Sequence, residues 1–230
     1  MRHASRELVL SLCDSLEEQA ALAVMACAAE GIAESNRMKA AGISHWWQLR
    51  EASALAVSTI TGEAMDTEDE KLTSQVDSFG ANVVASDAAS SEIPFLRARA
   101  FHSAAALGHA FAPSAALCLP SAIQALEPGT ALPIRIAACK AIAGLSSSLG
   151  EGTREALMAQ SRAILSALSG LVEEMNEDTV HLGLEALQMA VRAADPKTCE
   201  EAITPLTAQL LKVWDANPGD HLVGQDIIEV

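Results

Sequence analysis

The sequence predicts an all-α protein folded as a solenoid of stacked helix pairs, and three observations support that prediction. Apolar residues recur with a helical period along almost the whole chain, and no segment alternates as a β-strand does. A short phrase returns about every forty residues: an apolar residue, usually a basic one, and then a helix rich in small apolar residues. The 230-residue chain is 50% hydrophobic but only 3% aromatic, a composition typical of helices that pack closely through Ala and Leu.

The recurring phrase sets the repeat length. Its clearest copies are Leu49–Leu55, Leu96–Phe101 and Ile134–Ile142, with weaker echoes at Ser5–Leu10, Val180–Leu184 and Leu222–Ile227. The second residues of the six copies stand at positions 6, 50, 97, 135, 181 and 223, so the separations are 44, 47, 38, 46 and 42. This is the period of HEAT and armadillo repeats, which bury their apolar faces only by stacking. We therefore expect a HEAT/armadillo-like α-solenoid, a right-handed superhelix of antiparallel helix pairs.

The period divides the chain into repeats of one solenoid segment. Helices are predicted at 5–13, 16–38, 45–62, 69–86, 93–110, 113–127, 132–149, 153–175, 178–194, 197–215 and from Asp220 onwards. About five repeats follow over 1–230, namely 1–42, 43–90, 91–130, 131–176 and 177–218, with a partial repeat at 219–230. Because the pattern begins near Met1 and stops in mid-pattern at Val230, we expect an internal segment of a longer array.

Apolar residues inside the phrases predict the packing between repeats. The candidates are Trp46, Leu55, Phe101, Ile136, Ile142 and Leu184. Adjacent helical residues point about 100° apart, so we expect one of Trp46 and Trp47 in the core and the other at a repeat boundary. Arg50, Arg97 and Arg135 occupy one position of the phrase, and we expect them to cap helices or pair with acidic residues of the neighbouring repeat.

The charge balance predicts which partners the chain attracts. With 15 basic and 30 acidic residues the net charge is −15, which disfavours nucleic acid and anionic membranes and favours basic proteins. Two acidic runs are candidate contacts for Lys/Arg-rich cargo: Asp66, Glu68, Asp69 and Glu70 in one, Glu173 and Glu174 in the other. The simpler interpretation of each run is a solvated turn between helices.

Residue patterns typical of catalysis are missing from the sequence. The six histidines are scattered, and the closest pair, His102 and His109, lies two helical turns apart without an HExxH motif. The five cysteines form no CxxC pair, which indicates reduced thiols in an intracellular protein. Gly150-Glu151-Gly152 lacks the Lys-Ser/Thr of a phosphate-binding loop. We therefore expect no enzyme, with no catalytic residue, cofactor or metal site.

Three strings carry a family resemblance: His45–Ala52 with its HWW-x-x-x-EA pattern, Pro94–Ala100, and Pro133–Ile142. In this order and spacing they resemble the importin-β-type nuclear transport receptors, most closely the importin nine branch. The resemblance implies a superhelix of HEAT repeats that binds basic cargo such as core histones and ribosomal proteins. It also implies contacts with nucleoporins, control by the GTPase Ran, and shuttling between cytoplasm and nucleus. A HEAT scaffold subunit of a phosphatase or chromatin complex fits the repeats and acidity equally well and stays open.

Overall fold

The computed structural model describes residues 2–16, 18–61, 69–90, 92–108, 114, 116–147 and 151–230, and no β-strand occurs among them. The helices are α1 Arg2–Leu16, α2 Glu18–Ala40, α3 Trp46–Thr59, α4 Glu70–Phe79, α5 Ala85–Ala89, α6 Pro94–Gly108, α7 Leu119–Ala125, α8 Leu132–Ser146, α9 Glu151–Glu174, α10 Val180–Ala193, α11 Pro196–Ala216 and α12 His221–Glu229. A π-helical turn, Gly80–Val84, joins α4 to α5.

Side-chain caps explain where several helices begin. Asp69, Asp195 and Asp220 each accept hydrogen bonds from backbone N–H groups in the first turn of α4, α11 and α12. Pro133 and Pro196 stand in first turns, where a missing backbone donor costs little. Most of the predicted helix ends lie within three residues of the observed ones. The opening helix is longer than its prediction of 5–13, and 62, 109, 110 and 113 lie outside the described residues.

The helices form two layers. α3, α6, α8, α10 and α12 pack one after another in the first layer, and α2, α4–α5, α7, α9 and α11 follow one another in the second. Short turns make antiparallel pairs of α2 with α3, α5 with α6, α7 with α8, α9 with α10 and α11 with α12. The five copies of the phrase from Leu49 onwards therefore lie in the second helix of such a pair, and the first copy, Ser5–Leu10, lies in α1. The repeat boundaries given above stay a prediction.

Helix spacing differs between the two layers. In the first, which we call the close-packed layer, α6 and α8 meet at Gly108 and Gly144, and a Cβ added to Gly144 would lie 2.7 Å from the Ala105 carbonyl oxygen. In the second, the spaced layer, a groove of about 260 Å³ separates α9 from α11 and one of about 610 Å³ separates α2 from α4.

The predicted packing residues divide into buried and half-buried groups. Phe101, Ile142 and Leu184 are fully buried, and Trp46 is 9% exposed. Leu55 and Ile136 are half-buried. The helical twist turns their neighbours Ala54, Val57, Ala137 and Ala138 into the core instead.

The three arginines of the recurring phrase join the two layers through hydrogen bonds. The Nε of Arg50 donates to both carboxylate oxygens of Asp87, at 2.9 and 2.8 Å. The Nε of Arg97 donates to the Ala88 carbonyl at 3.0 Å, and that of Arg135 to the Leu126 carbonyl at 3.1 Å. Arg97 and Arg135 thus cap the end of the preceding helix. Arg50 and Arg135 also pair with acidic residues of the neighbouring helix pair, because Asp87 lies in α5, which pairs with α6, and Glu174 lies in α9, which pairs with α10.

Candidate functional site

The first acidic run is only partly described. Asp66 and Glu68 lie outside the described residues, whereas Asp69 and Glu70 stand at the start of α4. The Asp69 carboxylate accepts hydrogen bonds from the N–H groups of Lys71 at 2.6 Å and Leu72 at 3.3 Å. The bond from Lys71 is the main reason that the pKa of Asp69 is lowered. Capping of the first turn of α4 therefore accounts for the position of Asp69.

The second acidic run ends α9 and is partly neutralised within the chain. Glu173 accepts a hydrogen bond from Lys212 Nζ at 2.9 Å. Glu174 pairs with Arg135, whose hydrogen bond lowers the pKa of the Glu174 carboxyl. In the turn that follows, Glu177 and Asp178 are exposed. The free carboxylates of this region are thus those of the turn.

The two acidic runs lie on opposite edges of the stack. One edge of the stack contains the C-terminal ends of the close-packed helices, and Asp69 lies there because it follows α3 in the chain. The opposite edge contains their N-terminal ends, and Glu173 lies there because it precedes α10. The structure does not bring Asp69 and Glu70 together with Glu173 and Glu174 into one patch. We call Glu173, Glu174, Glu177 and Asp178 the acidic turn.

The close-packed layer presents a surface that the sequence reasoning missed. Successive turns of α3, α6 and α8 expose narrow stripes of side chains towards solvent. We call this surface the inner face, consisting of Trp47, Leu55, Phe95, Arg99, His102, Leu132, Ile136 and Lys140. The rings of Trp47 and Phe95 stack with their centroids 5.7 Å apart and their planes 17° apart. In the sequence, the inner face is indicated by the apolar residue in the first turn of each helix that contains the recurring phrase.

Positive groups converge on the inner face. Arg99 pairs with Glu51 through Nε and Oε1 at 2.8 Å, linking α6 to α3. Burial lowers the pKa of His102, and the positive charges of Arg99 and Lys140 lower it further. The three helices contain one acidic residue, Glu51, against Arg50, Arg97, Arg99, Arg135 and Lys140. In the spaced layer α2, α4–α5, α9 and α11 each contain more acidic than basic residues.

The described part of the chain shows no grouping of three or more His, Cys, Asp or Glu side chains suited to a metal ion. His109 lies outside it. Burial raises the pKa of the Cys118 and Cys139 thiols to about 12, which disfavours the reactive thiolate. Within the described ranges no helix is long and apolar enough to cross a membrane.

A comparison with protein families identifies the repeats. The model of the importin-9 central HEAT repeats matches residues 1–206. The chain belongs to this importin family. Family membership gives it a karyopherin-type role, in agreement with the resemblance of the three phrases.

Solved structures support the fold alone. One engineered protein superimposes with a TM-score of 0.60 at 15% identity, over 98% of this chain and 94% of its own. A second engineered protein superimposes with a TM-score of 0.61 at 13% identity, over 97% and 95% of the two chains. The importin-9-type repeats of this chain therefore form a HEAT-like α-solenoid.

Proposed function

We propose that this chain is the part of a nuclear import receptor that helps to hold Lys/Arg-rich cargo, acting by binding and not by catalysis. The receptor shuttles between cytoplasm and nucleus, contacts nucleoporins, and releases its cargo when Ran binds GTP. Family membership supports the receptor class, and the net charge of −15 supports basic cargo, because carboxylates attract and orient a basic surface.

The acidic turn is the proposed cargo contact. This choice rests on the exposure of Glu177 and Asp178. They come directly after two carboxylates that already bind cations, because Glu173 binds Lys212 and Glu174 binds Arg135. This region therefore binds basic groups within the chain, and its last two carboxylates are left for a basic group from outside. Core histones and ribosomal proteins are the cargo classes that the family resemblance suggests.

The unequal layers suggest how cargo binding and Ran control communicate. Small rotations between repeats add up along a solenoid to a change of superhelical pitch. The grooves between α2 and α4 and between α9 and α11 leave room for such rotations in the spaced layer. Ran and cargo would then favour different curvatures of the same stack.

A core histone dimer with a fluorescent label tests the proposal. We expect the double substitution Glu177→Lys and Asp178→Lys to weaken binding at least about tenfold, which corresponds to 1.4 kcal/mol. The matched control, Glu155→Lys with Glu200→Lys, makes the same change of net charge at exposed positions elsewhere in the spaced layer. Equal losses in both variants would contradict a cargo site at the acidic turn.

Ran control needs a separate measurement. We expect GTP-locked Ran to release the histone dimer from the longest cellular form of the protein, purified from cells with its bound partners. Partners that stay bound when Ran is added would contradict import and favour the alternative class, a HEAT scaffold subunit of another complex.

A further inference from the structure

The exposed ring of Phe95 on the inner face has no structural explanation within the chain. Phe95 is 71% exposed, although the chain contains only three Trp, four Phe and no Tyr. Its ring is held in place by stacking on Trp47, and Leu132 is exposed in the first turn of the next helix. A rigid, exposed apolar anchor of this kind is typical of binding sites, because little conformational entropy is lost when a partner covers it.

The charge beside this apolar row is positive. One or two turns further along the helices stand Arg99, His102 and Lys140. Glu51 is the only acidic residue of α3, α6 and α8, and Arg99 already pairs with it. No carboxylate among the described residues lies within ion-pairing distance of Lys140. The inner face therefore has an unpaired positive charge in a chain whose net charge is strongly negative.

We propose that the inner face is a docking site for an acidic peptide segment that also carries aromatic or aliphatic side chains. The apolar side chains of the segment pack on the row of Trp47, Phe95 and Leu132, and its carboxylates lie against Lys140 and Arg99. The site is separate from the acidic turn and selects partners of the opposite charge.

Charge complementarity distinguishes this occupant from the basic cargo of the proposed function. A Lys/Arg-rich segment on the inner face would meet Arg99 and Lys140, and like charges at close range disfavour binding. The half-buried Leu55 and Ile136 continue the apolar surface beside these cations. Neighbouring packed helices lie about 8–10 Å apart, so a segment that crosses three helices spans roughly 20 Å, about six extended residues.

Three synthetic peptides test the site on the whole chain. The first alternates Glu with Phe and Leu, the second has every Glu replaced by Lys, and the third has every Phe and Leu replaced by Ser. We expect the first peptide to bind at least about tenfold more tightly than either of the others, as measured by fluorescence anisotropy. Absence of binding by the first peptide, or equal binding by the Lys peptide, would overturn the proposal.

Substitutions on the two layers locate the site. Phe95→Ser with Lys140→Glu should weaken binding of the first peptide at least about tenfold, and Lys140→Glu alone should reduce the preference for Glu over Lys. The matched control, Leu211→Ser with Lys197→Glu, makes the same kinds of change on α11 of the spaced layer, where Leu211 is 58% exposed, and should leave binding unchanged. Circular dichroism and thermal unfolding verify that each variant is folded.

The histone assay separates this inference from the proposed function. We expect the inner-face variant, Phe95→Ser with Lys140→Glu, to bind the histone dimer as tightly as the unmodified chain does. We expect the acidic-turn variant, Glu177→Lys with Asp178→Lys, to bind the Glu-containing peptide at least as tightly as the unmodified chain does. Loss of histone binding in the inner-face variant would overturn a separate acidic-peptide site. Absence of histone binding by the unmodified chain, together with peptide binding that responds to Lys140→Glu, would contradict the proposed cargo and support the inner face.

Discussion

The close-packed layer and the spaced layer come from the same helix pairs but are held together differently. In the close-packed layer, α6 and α8 touch backbone to backbone at Gly108 and Gly144, and alanines fill the space around them. In the spaced layer α9 and α11 meet across a groove and are joined by polar links, including Asp195 with Ser161 and Arg162 with Glu201. The strength of apolar packing depends on how well the side chains fit together, whereas the strength of polar links depends on the solvent around them. The two layers should therefore respond to different perturbations.

The largest effect is expected where the two layers are joined. Arg50 and Asp87, which are 8% and 6% exposed, link α3 to α5. Arg50→Met would leave the Asp87 carboxylate buried without its partner, and we expect the free energy of unfolding to fall by about 3–5 kcal/mol in urea titrations. Arg162→Met removes an exposed pair of the spaced layer and should cost less than about 1 kcal/mol.

The double variant Arg50→Met with Asp87→Leu provides the control for this prediction. Removal of both charges should recover most of the loss, because no unpaired charge then remains buried. Equal costs for Arg50→Met and Arg162→Met would contradict the distinction between links that join the layers and links on the surface.

An intermediate effect is expected from adding one methyl group to each layer. The new Cβ of Gly144→Ala would lie 2.7 Å from the Ala105 carbonyl oxygen, so we expect a loss of about 1–3 kcal/mol from overpacking. Gly170→Ala makes the same change in α9, where no atom stands within 4 Å of the new Cβ. There the better helix propensity of Ala should stabilise the protein by about 0.5–1 kcal/mol. Thermal unfolding of the two variants would reveal the opposite signs.

If both glycine variants were destabilised alike, the difference in spacing between the layers would not govern stability. Gly144 and Gly170 can be compared directly because both lie inside long helices and neither has a left-handed backbone.

The smallest effect concerns pH and the polar link at the start of α11. The pKa of Asp195 is lowered to about 2, chiefly by the hydrogen bond from the Thr198 hydroxyl and then by that from the Thr198 N–H. Because the ordinary pKa of an Asp side chain is 3.8, the stabilisation by ionised Asp195 is fully present above this value and is lost as the pH falls towards 2. We expect Asp195→Ala to lower the urea midpoint at pH 7 and to match the unmodified protein near pH 2.

Asp215→Ala, which removes an exposed carboxylate from the same helix, is the control for the pH experiment. A gap between Asp195→Ala and the unmodified protein that persisted undiminished at low pH would show that the ionised carboxylate is not the stabilising group.

Much of the fold could be predicted from the sequence because helical period and repeat length are local signals. The turns were located by Asp195-Pro196 and Asn217-Pro218-Gly219, which act through their own backbones. The inner face could not be predicted in this way, because exposure of Leu55 and Ile136 depends on how α3, α6 and α8 rotate against their neighbours. The roles of Asp69 and Glu174 were equally hidden, since a cap and an ion pair are known only when their partners are placed.

The contact between Gly108 and Gly144 also has a mechanical meaning. Backbones in contact cannot approach further, so the line through these glycines keeps its length when the stack bends, and it lies near the neutral axis of bending. Changes of curvature must then be taken up as stretching or compression on the far side, across the grooves beside α2 and α9. A partner on the close-packed layer would then meet a surface that changes length little, whereas a partner lodged in the grooves would resist or drive the change of curvature.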